Sequence, residues 1–580
     1  MKPPADSQRR AVRIANCSGF FGDRLSAAKE MVDGGDIDVL TGDWLAELTM
    51  FILHKQRTRN ADLGYARTFL LQMEQVLATC IERGIKVVTN AGGLNPAGCA
   101  DKVREIAARL GVQATVAHIE GDDLMSRVED LRPQLQHLDT GAPLVAEALT
   151  ANAYLGGWGI ATALQSGADV VVCPRVTDAA LVVGPSAWWH GWALDDWDRL
   201  AGAVVAGHIV ECGTQATGGN YAWFNEIPDP SKPLGFPIAE VAADGSSVIT
   251  KHEGTGGLVN IGTVTAQLLY EIGTADYANP DVVTQFDTIS LAQDGPDRVR
   301  VDGVRGLPAP ATAKVCINLD GGYRNRMTFA LTGDHQREKA KWLETALFAR
   351  LGGKDRFDEV DVRLVEAPPH AATQEQASGR LHVTVKSNDE RLAGRAFSSA
   401  AIEMALANYP GFFVTGAPGD AESFGIYWPA LVDAAEIAEV VVMPDGKRIA
   451  VAAPPRHQVG NDGARSAIAS DARPVGPTAG ETLGSHFAAR SGDKGGNANV
   501  GIWARDDAGF AWLRDNLSPA VVQRLLPEAS ALEVRRVELP NLHALNFVIV
   551  GLLGEGVASN TAFDPQAKGL GEYLLSRVWG

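Results

Sequence analysis

The sequence predicts an α/β protein: a doubly wound, mostly parallel sheet in a large N-terminal region, plus a small α+β domain at the C-terminal end. Three observations carry this. Short apolar runs alternate with helix-patterned segments through the first 180 residues, which is how a parallel sheet reads. Most of those runs end in loops rich in Gly, Asn, Asp and Ser. A Pro/Gly/Ala/Ser stretch at 454–480 then separates the last hundred residues, whose pattern is close to β-β-α-α-β-β-α.

Taken in order, residues 11–14 form the first strand and run into a Gly/Ser loop at 16–24, with a helix from about 26. A second strand at 37–40 ends in Thr41-Gly-Asp43. The helix after it carries Trp44, Leu45, Leu48, Phe51 and Ile52 at helical spacing. Residues 63–83 are a helix, 86–89 a third strand ending in Asn90-Ala-Gly-Gly93, about 100–110 a helix, and 113–118 a fourth strand. Residues 143–165 read as mostly helical, with Asn152 and the Gly156-Gly157 pair inside. The next strand, 168–172, runs into Cys173-Pro-Arg-Val-Thr-Asp178. In open α/β sheets ligands sit beyond the carboxyl ends of the strands, so these loops are expected to converge on one edge. Residues 280–450 read as a second α/β lobe with some antiparallel character. The expected domains are 1–453 (lobes about 1–279 and 280–453), a linker at 454–480 and a small domain at 481–580. In that small domain a strand at about 483–488 ends in the charged stretch 490–499, read as an anion-cradling loop.

The chain has 580 residues, 46% hydrophobic and 21% charged, enough to bury sizeable cores. With 52 Lys and Arg against 70 Asp and Glu, the net charge of −18 argues against nucleic acid or an anionic membrane surface as partner. One local cationic pocket is enough for a small anion. Six scattered cysteines without zinc-like spacing are expected to be free buried thiols. No N-terminal signal and no apolar run long enough to span a membrane is seen, so the expected location is cytoplasmic.

Site chemistry is expected in the loops. Arg175 is shaped to fork onto a carboxylate or phosphate. Ser18, Gly19, Asn90, Gly92, Gly93, Asn152, Thr177, Gln215, Thr217, Gly218, Gly219 and Gly256 would supply hydroxyl, amide and backbone donors. Asp178, Glu211 and Glu253 are the candidate proton carriers. Arg490, Asp493 and Lys494 belong to the charged stretch of the small domain. His208 and Cys212 are the right types for a base–nucleophile pair, but the Gly content argues against a helix through Cys212. The Trp residues at 188, 189, 192 and 197 form either an apolar wall or part of the core. No nucleotide motif is present, and a metal is not implied. Asp43, Asp122, Asp123 and Asp178 could hold Mg²⁺ only if the fold brings them together.

These motifs resemble one family. Ser18-Gly-Phe-Phe-Gly-Asp23, Thr41-Gly-Asp-Trp-Leu-Ala-Glu47, Asn90-Ala-Gly-Gly93, Gly121-Asp-Asp-Leu124 and Asn152-Ala-Tyr-Leu-Gly156 are similar to the acyclic terpene utilisation (AtuA) family. So are Arg175-Val-Thr-Asp178, Gly207-His-Ile-Val-Glu-Cys-Gly213, Gln215-Ala-Thr-Gly-Gly219 and Gly254-Thr-Gly-Gly257, in the same order. Arg490-Ser-Gly-Asp-Lys-Gly495 resembles the family's ferredoxin-like domain. The resemblance implies a place in the breakdown of acyclic terpenes and branched acyl-CoA, but no reaction and no catalytic residues. Two readings stay open: an enzyme acting on an acyl-CoA or carboxylate intermediate by hydratase- or lyase-type chemistry, or a non-catalytic subunit of an acyl-CoA enzyme complex. The expected partner is a small acyl-CoA or carboxylate, and the expected state is a homo-oligomer joined through the C-terminal domain.

Overall fold

The structure is a computed structural model that describes residues 9–457 and 472–580. Residues 458–471 of the expected linker lie outside the described residues. The chain divides into two compact units, the first holding 1–318, 427–557 and 566–580, the second 319–426 and 558–565. This division differs from the lobes read at 1–279 and 280–453. It places most of the small C-terminal domain in the same unit as the N-terminal sheet.

In the first unit the early strands are β1 (Val12–Asn16), β2 (Val39–Gly42), β3 (Lys86–Thr89), β4 (Val116–Glu120), β5 (Ala148–Ala153), β6 (Val170–Val172), β7 (Pro237–Val241) and β8 (Ser247–Lys251). The parallel heart of the sheet runs β1-β2-β3-β6-β4. β7 pairs antiparallel with β1 and extends the sheet through β8 to Arg298–Asp302 and Ser290–Gln293. Val440–Val442 and Arg448–Ala450 extend the other side, also antiparallel. The doubly wound reading therefore holds for the central five strands, and antiparallel ribbons flank them.

Helices α1 (Ala27–Asp33), α2 (Glu47–Arg59), α3 (Arg67–Arg83), α4 (Pro96–Leu110), α5 (Val128–Leu131), α6 (Trp158–Gln165), α7 (Ala180–His190), α8 (Trp197–Val210) and α9 (Ile261–Leu268) cover the sheet. Local chemistry sets α4: Asn95 caps it by accepting from Gly98 N at 2.9 Å, Pro96 starts it, and Gly111 ends it at a φ of +71°. α8 is buried almost all round, as an apolar helix must be. Trp192 is buried, and Trp188, Trp189 and Trp197 pack against the same core, so these tryptophans are structural.

Two expectations fail. Residues 143–165 are not one helix. β5 occupies the middle, and Gly156-Gly157 precede α6 rather than interrupt a helix. β5 pairs with the long strand Thr312–Thr332, a nonlocal partner that outweighs the helical character of Ala148–Ala153. The stretch 490–499 is also not an open loop. Ala488–Lys494 and Asn497–Trp503 pair as a hairpin.

The C-terminal domain is a four-stranded antiparallel sheet ordered Ala488–Lys494, Asn497–Trp503, Ala544–Ile549, Val534–Leu539. Helices Asp507–Asn516, Pro519–Leu525 and Leu570–Leu575 complete it, and Phe487, Val500, Ile502, Phe510, Leu513 and Phe547 fill its core. The second unit has its own core of Met327, Phe329, Leu343, Leu347, Val383 and Phe397. It lies between the pairing of Ser378–Ser387 with residues 323–332 and helix Gln336–Arg350.

Candidate functional site

The carboxyl ends of the parallel strands do converge. Asp43, just after β2, donates its N–H to Ser18 O at 2.9 Å in the loop after β1. Asn90, after β3, donates from its amide to the Asp43 carboxylate and accepts from Trp44 N at 2.8 Å. Gly92 N donates to Cys173 O, after β6, at 3.1 Å. A Cβ on Gly92 would lie 2.5 Å from that oxygen, so glycine permits this approach. After β4, Asp122 accepts from Asn152 Nδ2 at 2.7 Å and from Arg175 N at 3.3 Å. One bonded layer thus ties five strand ends together.

Arg175 lies at the centre, 2% exposed. Its Nη1 donates to Val176 O and to Asp178 Oδ1, both at 2.7 Å, and its guanidinium stacks 4.2 Å from the centre of the Tyr154 ring. Among the described residues its buried Nε has no partner, nor does Thr177 Oγ1. An unpartnered buried donor is costly, and it marks a place where a ligand acceptor fits. Tyr154 Oη donates to Glu47 Oε1 at 2.8 Å, and Lys314 Nζ stands 3.7 Å from the same oxygen. His208, fully buried, has Nδ1 3.3 Å from Glu211 Oε1. α8 ends at Val210, so His208 faces Glu211 and not Cys212. Burial and the Glu211 charge push the Cys212 thiol well up, which leaves no ready thiolate.

The other wall comes from the C-terminal domain. Arg490 donates to Gln215 Oε1 and sits 4.3 Å from the centre of the Tyr270 ring. Lys494 Nζ donates to Glu271 O at 2.7 Å. Lys568 bonds to Tyr270 Oη, and its amine is 3.8 Å from Asp493. Asn499 Oδ1 accepts from Glu271 N at 2.8 Å, Asn546 Nδ2 donates to Ile272 O at 3.0 Å, and the two asparagines bond to each other. Glu271 has a φ of +59°, in the left-handed region that non-glycine residues rarely occupy. A buried amide chain from one domain thus holds an acid of the other in a strained conformation.

The electrostatics follow from this packing. Burial, then the Asp178 charge, raises Asp43 and Glu211 well above the carboxylate range. Burial, then Asp493, pushes Glu271 up to about 7. For Glu47 burial works against ionisation, but Lys314 and Arg175 outweigh it and hold the carboxyl at about 2. Burial, then Lys314, lowers Lys494 to about 8, and burial lowers His208 to about 4. Acids pushed apart in this way, some retaining protons near neutrality and one firmly ionised, suit acid–base chemistry.

The structure therefore brings together Asp178, Glu211, Arg175, Thr177, Gln215, Arg490, Asp493 and Lys494, with Asn90, Asn152 and Gly92 beneath them. Ser18-Gly19 packs on Cys212-Gly213, where a Cβ on Gly19 would meet the Cys212 carbonyl carbon at 2.5 Å. Thr217 Oγ1 is spent on Gly235 O and Thr214 O, so it fixes a turn. Gly93 (φ +49°) and Gly218 (φ +113°) turn in the left-handed region against the Leu53 and Ile227 side chains, and Gly219 and Gly256 serve close backbone packing. Glu253 is exposed in the turn after β8 and, among the described residues, forms no hydrogen bond or ion pair with the cluster. Sequence reasoning missed Tyr154, Tyr270, Glu271 and Lys314 as site residues. Glu271 and Tyr270 follow a helix with no motif around them, and no signal in the chain marks them. Asp43, Asp122, Asp123 and Asp178 each take a bond from a different neighbour, and among the described residues no group of three metal-ligating side chains is placed for an ion. All six cysteines are unpaired. Among the described residues no helix is long and apolar enough to cross a membrane.

A comparison with curated proteins returns no match. Residues 482–578 match the AtuA ferredoxin-like domain, which agrees with the four-stranded sheet and its helices. Residues 12–443 match the acyclic terpene utilisation family protein AtuA, most of the chain and all of the strand-end layer. With its converging strand ends and its ferredoxin-like domain on one chain, this protein belongs to the acyclic terpene utilisation AtuA family.

Proposed function

We propose that the protein is an enzyme of acyclic terpene breakdown that acts on an acyl-CoA or carboxylate intermediate by acid–base chemistry of the hydratase or lyase type. The observation that carries this is the cluster itself. Arg175, with an unpartnered buried Nε, stands among carboxyls that keep protons near neutral pH. Arg175 and Arg490 supply the cations for an anionic group of the substrate. Glu271, raised to about 7, is poised to give and take the proton near neutral pH, and Glu211, held protonated by burial, stands beside it as a donor. Asp178 holds Arg175 in place through its 2.7 Å bond.

The test is ligand-dependent thermal stabilisation against branched acyl-CoA thioesters, free branched acids and nucleotides. A ligand that binds only the folded state at a hundredfold excess over Kd adds about 2.7 kcal/mol of apparent stability. A shift with a branched acyl-CoA or acid, lost in Arg175→Ala while the protein stays folded, is the expected result. A shift with nucleotides alone, or one that Arg175→Ala leaves intact, refutes the reading.

A further inference from the structure

We propose that Lys494 is a reactive amine that forms an imine with a ketone carbonyl of the substrate, and that the substrate class is a β-keto acid or its thioester. This deepens the reading above and rests on it.

The geometry around Lys494 is unlike that of an ordinary structural lysine. Its side chain leaves the hairpin of the C-terminal domain and passes Gly273, where a Cβ would stand 3.4 Å from Lys494 Cε. The Nζ donates to one main-chain carbonyl, Glu271 O, at 2.7 Å. The Tyr277 ring centre is 5.8 Å away. Among the described residues no carboxylate lies within 4.0 Å of the nitrogen. Three neighbouring cations are matched differently: Arg175 has Asp178, Lys314 has Glu47, and Lys568 has Asp493, while the guanidinium of Arg490 bonds the Gln215 amide oxygen. Lys494 lacks such a partner and instead feels a second cation, Lys314, along with the more distant Glu271, Glu47 and Glu211. A packed lysine next to another positive charge is the arrangement that frees an amine lone pair for attack. The residue as a whole is half-buried, at the edge of the packed cluster rather than in the domain core.

The chemistry balances without an oxidant or a further co-reactant. The neutral Nζ attacks the carbonyl carbon, a C–N bond forms as the C=O π bond opens, and one proton passes from the new ammonium nitrogen to the oxygen to give a carbinolamine. A proton from Glu271 or Glu211 lets that hydroxyl leave as water, and an iminium ion remains. The iminium draws electrons from the neighbouring carbon, so that a bond at that carbon, to hydrogen or to a carboxyl or acyl group, can be broken and remade. Water then returns the ketone and the free amine. Arg175 is placed for the carboxylate or thioester end.

The test uses the full-length protein and two probes. 2,4-Pentanedione forms a coloured enaminone with a neutral lysine amine, and acetoacetate with sodium borohydride fixes an imine as a secondary amine; peptide mass spectrometry locates either adduct. The expected result is an adduct concentrated at Lys494, rising with pH through about 8, and absent in Lys494→Arg that still melts cooperatively. Labelling no stronger at Lys494 than at exposed Lys29 overturns the inference. An adduct at Lys494 without any acyl-CoA or acid stabilisation supports the amine and refutes the acyl-CoA reading. Stabilisation without an adduct does the reverse.

Discussion

Glu271 sits at a φ of +59°, and Asn499 holds it there through a 2.8 Å bond. Such a conformation costs a non-glycine residue about 1–3 kcal/mol. It also brings a carboxyl to Tyr270 and into the field of Lys568. Glu271→Gly should therefore raise the melting temperature while turnover falls at least tenfold, since it removes both the strain and a proton carrier. A lower melting temperature would show that the side chain itself is structural. Asn499→Ala should act in the opposite way on stability. It leaves Glu271 N and Asn546 Oδ1 without a partner, at about 1–3 kcal/mol by urea unfolding. None of this could be read from the chain. Arg175, Asp178 and Asn90 were legible because each follows an apolar strand directly. Glu271 was not, because its role depends on a main-chain conformation and on an asparagine 228 residues away.

At the scale of elements, the alternation of strand and helix through β4 was plain in the sequence, since short β-branched runs and capped helices differ in period. β5 was not. Ala148–Ala153 has little β-branched character, and pairing with Thr312–Thr332 decides its state. The hairpin Ala488–Lys494 and Asn497–Trp503 was hidden by its charges, which look solvent-facing until the partner surface is known. That hairpin also carries the contact between domains. A Cβ on Gly492 would lie 2.2 Å from Tyr270 Cε2, and one on Gly501 2.5 Å from Leu269 Cβ. Gly492→Ala is therefore expected to destabilise by about 1–3 kcal/mol through overpacking and to lower ligand-dependent stabilisation with it. A surface substitution such as Lys29→Ala should change neither. Equal effects from the two would exclude the close fit as the cause.

For the molecule as a whole, pH should report the buried acids. Burial raises Asp122 and Glu271 to about 7 and Glu439 to about 8. A carboxyl whose proton affinity is raised by folding lends its stability below its ordinary range and loses it as pH climbs through the folded value. Stability should thus fall between about pH 6.5 and 8. His208, lowered to about 4, has the opposite slope, but its contribution is complete by about 6.5. Lys494 begins to restore stability only above about 8. Differential scanning fluorimetry across this range checks it. Glu271→Gln with Glu439→Gln should flatten the fall, and a slope unchanged by the pair would show that other groups carry it.

Arg490, Lys494 and Asn499, which close on the Tyr270-Glu271 turn, belong to a sheet encoded some 220 residues farther along the chain. While the protein is being synthesised, the strand-end layer is finished long before Arg490, Lys494 and Asn499 leave the ribosome. A chain clipped before that sheet lacks Arg490, Lys494 and Asn499, so under the proposed function any activity would report that translation had reached the far domain.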